Sequence, residues 1–121
     1  MSRRIVMEVN PAYECFRSVL ESLVAEGLPD DAKVIYRGRN IVAAFTRQDM
    51  PLCVKAFGTP SLINRFIYGH LRPSKASRSY HNALELTRRG FNTPAPIGYA
   101  DIYEGGCLVK SYYLCEHLAS A

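Results

Sequence analysis

Leu52-Cys53-Val54-Lys55-Ala56-Phe57 is a short apolar run with one lysine planted in it, and it reads as a β-strand. Strand side chains alternate, so Cys53, Lys55 and Phe57 share one face while Leu52, Val54 and Ala56 share the other. A lysine on such a strand either snorkels to water along its apolar stem or is kept for an anion. Working outward, Ser74 to Gly90 reads as an amphipathic helix. Ala76, Tyr80, Ala83, Leu84 and Thr87 fall on one face of it, and Lys75, Arg78, Asn82 and Arg89 on the opposite one. Gly90 is a suitable C′ residue, and Pro94 follows shortly after. His81 and Glu85 are four apart and share one flank. A strand lysine followed by a helix that carries a carboxylate is the pairing with which some folds hold the α/β-phosphates of a nucleotide.

The flanking segments extend this pattern. Arg3 to Val9 reads as a short edge strand. Asn10-Pro11 supplies an N-cap and a proline at the first helical position, ahead of a helix with Tyr13, Phe16, Leu20, Leu23 and Val24 on its apolar face. Gly27 and Pro29 end that helix. Lys33–Tyr36 and Ile41–Thr46 are β-rich and joined by Arg37-Gly38-Arg39-Asn40, where Gly38 and Asn40 could supply positive φ. Gln48-Asp49-Met50-Pro51 turns into the Lys55 strand, which makes a three-strand antiparallel meander. Thr59-Pro60 begins a helix with Leu62, Ile63, Phe66, Ile67 and His70 on its stripe, His70 reading as a core-edge residue. Pro96–Tyr103 and Cys107–Cys115 are two more strands around Glu104-Gly105-Gly106. The class is α+β, with a five-stranded antiparallel sheet, the Lys55 strand central and helices packed on it.

At 121 residues the chain is a single domain. Residues 1–32 form the N-terminal strand and helix, and 33–121 the sheet with its helices. No apolar run reaches the ~18–20 residues of a membrane span, and the N-terminus has no signal-peptide pattern. Cys15, Cys53, Cys107 and Cys115 are far apart in sequence, with no CxxC or Cys/His metal spacing, so they read as reduced core thiols of a cytoplasmic protein and no metal site is expected. The net charge of +4 is concentrated in 33–39 and 65–89, which suits an anionic partner or a solvated face.

Taken in order, Val34-Ile35-Tyr36-Arg37-Gly38-Arg39-Asn40, Val54-Lys55, Leu62-Ile63-Asn64-Arg65 and Ser74-Lys75-Ala76-x-Arg78-Ser79-Tyr80 resemble the lipopolysaccharide kinase (Kdo/WaaP) family. Gly90-x-x-Thr93-Pro94-x-Pro96-Ile97 and Ser111-Tyr112-Tyr113 continue the likeness over nearly the whole chain. The resemblance implies a protein-kinase-like N-terminal lobe that binds ATP with Mg²⁺. The γ-phosphate would pass to an inner-core sugar of lipopolysaccharide, Kdo or heptose, at the cytoplasmic face of the inner membrane. Carried over by position, Lys55 contacts phosphates; its helix partner does not carry over, and Glu85 is the substitute for it. Arg37, Gly38, Arg39, Val42 and Cys53 line the nucleotide. Cys115, Glu116 and Leu118 belong to the hinge, where the Glu116 carbonyl and Leu118 amide recognise adenine.

Two departures from that family stand out. The helix acid falls at His81, so Glu85, one turn later, is the stand-in and is expected to lie closer to Lys55 than any other acid does. The aspartates, Asp30, Asp31, Asp49 and Asp101, sit in no H-R-D or D-F-G motif. The Mg²⁺ ligands are therefore expected in a C-terminal catalytic lobe absent from this chain, and Tyr112, Leu114 and Leu118 are expected to be left exposed where that lobe would sit. Two other classes compete. One is a stand-alone nucleotide-binding or pseudokinase-like regulatory module. The other is a nucleic-acid binder using Arg65, Arg72, Lys75, Arg78, Arg88 and Arg89, against which the aromatics alternate into core positions rather than forming a stacking platform.

Overall fold

A computed structural model describes residues 3–58 and 73–117. Six strands pair into one antiparallel sheet: β1 (Arg3–Val9), β2 (Lys33–Arg37), β3 (Asn40–Arg47), β4 (Met50–Phe57), β5 (Pro96–Glu104) and β6 (Cys107–Glu116). Their spatial order is β1-β5-β6-β4-β3-β2. A 3₁₀ turn over Pro11–Phe16 leads into α1 (Arg17–Glu26), and α2 spans Lys75–Arg88. The α+β class and the antiparallel sheet agree with the sequence reading, and β4 lies inside the sheet between β3 and β6. The helix expected after Thr59-Pro60 lies outside the described residues.

The strand count is six rather than five, because β1 pairs with β5 over its full length, from Arg3↔Glu104 to Val9↔Gly98. Gly98 makes this approach sterically feasible, since a Cβ there would lie 2.6 Å from the Glu8 carbonyl oxygen and 2.7 Å from Leu20 Cδ1. The Asn10 amide then donates to the Ile97 carbonyl at 2.7 Å, and Asn10 Nδ2 to the Pro96 carbonyl at 2.8 Å. The Asn10 side chain also caps the helical segment through the Ala12 amide.

The turns follow local chemistry, with two differences from expectation. Gly105 and Gly106 both have positive φ, which suits a two-residue hairpin between β5 and β6. Gln48 and Asp49 also have positive φ (52° and 62°) and form a two-residue turn, so β4 begins at Met50 rather than Leu52. Neither Gly38 nor Asn40 has positive φ. At 38 the Tyr36 ring lies over the backbone, where a Cβ would meet its hydroxyl end, and that exposed ring can swing away.

Helices cover the two faces of the sheet separately. On one face Phe16, Leu20 and Leu23 pack on Leu52, Val54, Ile97, Ala100, Tyr112 and Leu114. On the other, Ala76, Tyr80 and Ala83 of α2 pack on Cys53, Tyr99, Tyr113 and Cys115. Tyr112 and Leu114 are 4% and 0% exposed, so the open apolar surface expected there is not found; both side chains lie under the α1 layer. Leu118 lies outside the described residues. Among the described residues no helix is long and apolar enough to cross a membrane.

Candidate functional site

The alternation of β4 sends Leu52, Val54 and Ala56 into the α1 core and Cys53, Lys55 and Phe57 to the α2 face. Lys55 is half-buried and sits opposite Val42 on β3 and Tyr113 on β6. Val42, Cys53, Lys55 and Cys115 therefore line one wall. The exposed Arg37-Gly38-Arg39 turn stands at one end of it, where Asn40 pairs with Phe57. At the other end Leu52 pairs with Glu116. Five residues of strand separate these ends, a span of about 17 Å. At the Glu116 end the Glu116 amide donates to the Ala95 carbonyl and the His117 amide to the Pro51 carbonyl, both at 2.9 Å.

The helix carboxylate is not brought to this wall. The flank of α2 that carries His81 and Glu85 faces β1 instead. His81 Nε2 lies 3.4 Å from Glu8 Oε1, and its ring packs edge-on against Tyr99. Since β5 and β6 separate β1 from β4, that flank points to a part of the sheet roughly 14 Å from the Lys55 strand. The Glu85 carboxylate is held by Arg88 (2.5 Å) and Arg89 (2.7 Å) on its own helix, and those guanidiniums lower its pKa. The expected Lys55–Glu85 pair is not formed. The physical reason is rotational: with Ala76, Tyr80 and Ala83 seated on the sheet, residues at 81 and 85 must turn toward β1. His81 stays on its own helix turn and the β1 side, its Nδ1 within hydrogen-bond distance of the Ser77 carbonyl at 2.8 Å.

The cysteines also differ from a set of scattered core thiols. Cys15 is exposed and Cys107 half-buried, whereas Cys53 and Cys115 are buried register partners on adjacent strands. A hydrogen bond from Cys115, together with the neighbouring Lys55 charge, holds the Cys53 pKa below the usual thiol value. Sharing the proton with Cys53 raises Cys115.

One polar cluster was not singled out from the sequence. Asp101, 3% exposed, accepts from Ser74 Oγ at 2.7 and 2.8 Å and from Ser111 Oγ at 2.7 Å. Ser74 is also the N-cap of α2 and accepts from the Ser77 amide at 2.9 Å. Burial raises the Asp101 pKa, while the two hydroxyl hydrogen bonds pull the other way. The available signal was an aspartate among inward-facing residues of an otherwise apolar strand, with a serine at the start of a helix.

A groove of about 510 Å³ opens on the opposite face, between α1 and β3, with Leu23, Leu28, Phe45 and Arg47 in its walls. None of the described residues expected to bind nucleotide lines it. Among the described residues no group of three or more His, Cys, Asp or Glu side chains is placed to hold a metal ion. No family model, curated protein or solved structure matches the chain.

Proposed function

We propose that this chain is the nucleotide-binding lobe of a lipopolysaccharide-core sugar kinase, which takes ATP on the α2 face of the sheet and passes its γ-phosphate to a Kdo or heptose hydroxyl. The carrying observation is Lys55. It is half-buried on the third strand of an antiparallel meander, it faces the same side as the following helix, and it makes no ion pair among the described residues. A half-buried ammonium without a carboxylate is electrostatically incomplete, and a phosphate would complete it. The order of elements supports the reading: three meander strands, a helix, then a hairpin whose last strand returns beside the lysine strand.

In this reading Lys55 binds and orients the phosphates, Arg37 and Arg39 add positive charge at their end of the wall, and Val42 gives the base an apolar contact, while Cys53 lies behind it, buried beneath α2. Backbone groups near Glu116 would recognise its edge, and Leu118, the other hinge residue of the resemblance, lies outside the described residues. Mg²⁺ supplies charge neutralisation in such reactions. The described residues bring no donor set that fits it. The acceptor sugar and any seat at the inner membrane are carried by the family resemblance alone.

The test is an NMR or calorimetric titration with ATP. With contacts from one wall, affinity should be weak, ~mM, because few contacts must offset the lost translational freedom. Lys55→Met should abolish binding while leaving the thermal midpoint nearly unchanged. Binding that survives Lys55→Met, or no binding at all, overturns the site. Micromolar affinity would instead favour a self-contained regulatory nucleotide module.

A further inference from the structure

Cys53 on β4 and Cys115 on β6 face each other directly across the sheet. Both side chains project to the α2 side, packed among Ala76, Tyr80, Ala83 and Tyr113. The His117 amide donates to the Pro51 carbonyl on the same two strands, two residues along from each cysteine. Hydrogen-bonded pairs recur every two residues in an antiparallel ladder, so the cysteines occupy such a pair, with Cα atoms about 5.5 Å apart. That spacing lies inside the ~4.4–6.8 Å Cα range that a disulfide bridges, while the Cβ atoms, about 5.5 Å apart in such a pair, must close by about 1 Å, which leaves the bond strained and readily reduced.

We propose that Cys53 and Cys115 are an oxidisable dithiol that closes to a reversible cross-strand disulfide when a small hydroperoxide reaches it. This goes beyond the nucleotide reading and does not depend on it. Lys55, two residues from Cys53 on its own face, favours a thiolate in the pair, and Cys115, hydrogen-bonded to Cys53, holds the remaining proton. The Cys53 thiolate attacks one peroxide oxygen, the O–O bond breaks, and the leaving oxygen departs as an alcohol or water after taking a proton. The resulting sulfenic acid is attacked by Cys115 sulfur. The S–S bond forms, the S–O bond breaks, and water leaves with the Cys115 proton. Two electrons pass from the sulfurs to the peroxide. A low-molecular-weight thiol returns them by exchange. At 8% and 6% exposure the pair is open only at its margin, which favours a peroxide over bulky electrophiles. Cys15 and Cys107 are not each other's partners on any pair of adjacent strands.

The experiment treats the reduced full chain with stoichiometric hydrogen peroxide, alkylates the remaining thiols after denaturation, and maps the peptides by mass. The expected result is a chain lighter by two hydrogens, with two thiols protected and one linked peptide joining Cys53 to Cys115, all reversed by dithiothreitol. A Cys15→Ser/Cys107→Ser variant should behave identically, and it serves if the core cysteines do not tolerate substitution. Failure of that folded variant to form the link, or oxidation of Cys53 only to the sulfinic acid, overturns the proposal. So does exclusive linkage through Cys15 or Cys107 in the unsubstituted chain.

Discussion

Asp101 is the residue whose environment contradicts its chemistry most sharply. It is a carboxylate in the sheet core, compensated by two serine hydroxyls rather than by a cation. Burial raises its pKa above the unfolded value, so the folded state binds the proton more tightly than the unfolded one. The stability linked to that proton is fully present below the unfolded pKa, near ~4, and is lost as pH rises through the higher folded pKa. Asp101→Asn should remove that slope. Urea unfolding of both forms at several pH values from ~3.5 to 7 should show the parent losing stability with rising pH relative to the variant. Parallel profiles would mean that Asp101 does not titrate differently on folding. Lys55 illustrates the converse case, a cation in a half-buried position whose partner is not supplied by α2.

Among the elements, α2 is anchored at its first turn. Ser74 accepts from the Ser77 amide as N-cap and donates to Asp101 on β5, so one side chain both starts the helix and ties it to the sheet. Ser74→Ala removes the cap and one of the two serine donors to a buried carboxylate. The expected loss is about 2–4 kcal/mol, more than an ordinary exposed cap costs. Denaturant midpoints at constant m-value would measure it, and a loss under ~1 kcal/mol would show that water or another donor takes over the role. The same anchoring explains why Glu85 misses Lys55. Once Ser74 and the Ala76–Tyr80–Ala83 stripe are seated, the azimuth of every later residue is set.

For the whole molecule, the sheet is a partition between two helical layers, and the α1 side carries the larger apolar cluster. Leu20 is completely buried there and touches the position where Gly98 admits β1. Leu20→Ala should cost about 2–5 kcal/mol by transfer and cavity terms together. Phe91→Ala, at a ring 61% exposed just beyond α2, should stay within about 0.5 kcal/mol. Thermal or urea unfolding of the pair tests whether the α1 layer carries the stability. Equal effects would argue that Leu20 is not clamped between helix and sheet.

The local pieces of the fold are legible in short stretches of the chain. The alternation in Leu52–Phe57 put Lys55 and Cys53 on one face, Gly-Gly at 105 and 106 specified the hairpin, and Ser74 and Gly90 bracketed α2. These depend on φ/ψ preference and on side-chain periodicity, which neighbouring residues encode. Long-range packing places β1 beside β5, puts Tyr112 and Leu114 beneath α1, and turns His81 and Glu85 toward β1 rather than Lys55. The same holds for the opposition of Cys53 to Cys115, 62 positions away in the numbering, and for the meeting of Asp101 with Ser74 and Ser111. Those facts depend on strand register and on the rotation of a helix about its own axis. Both are set by how two apolar surfaces interlock, and no window of consecutive residues contains both surfaces.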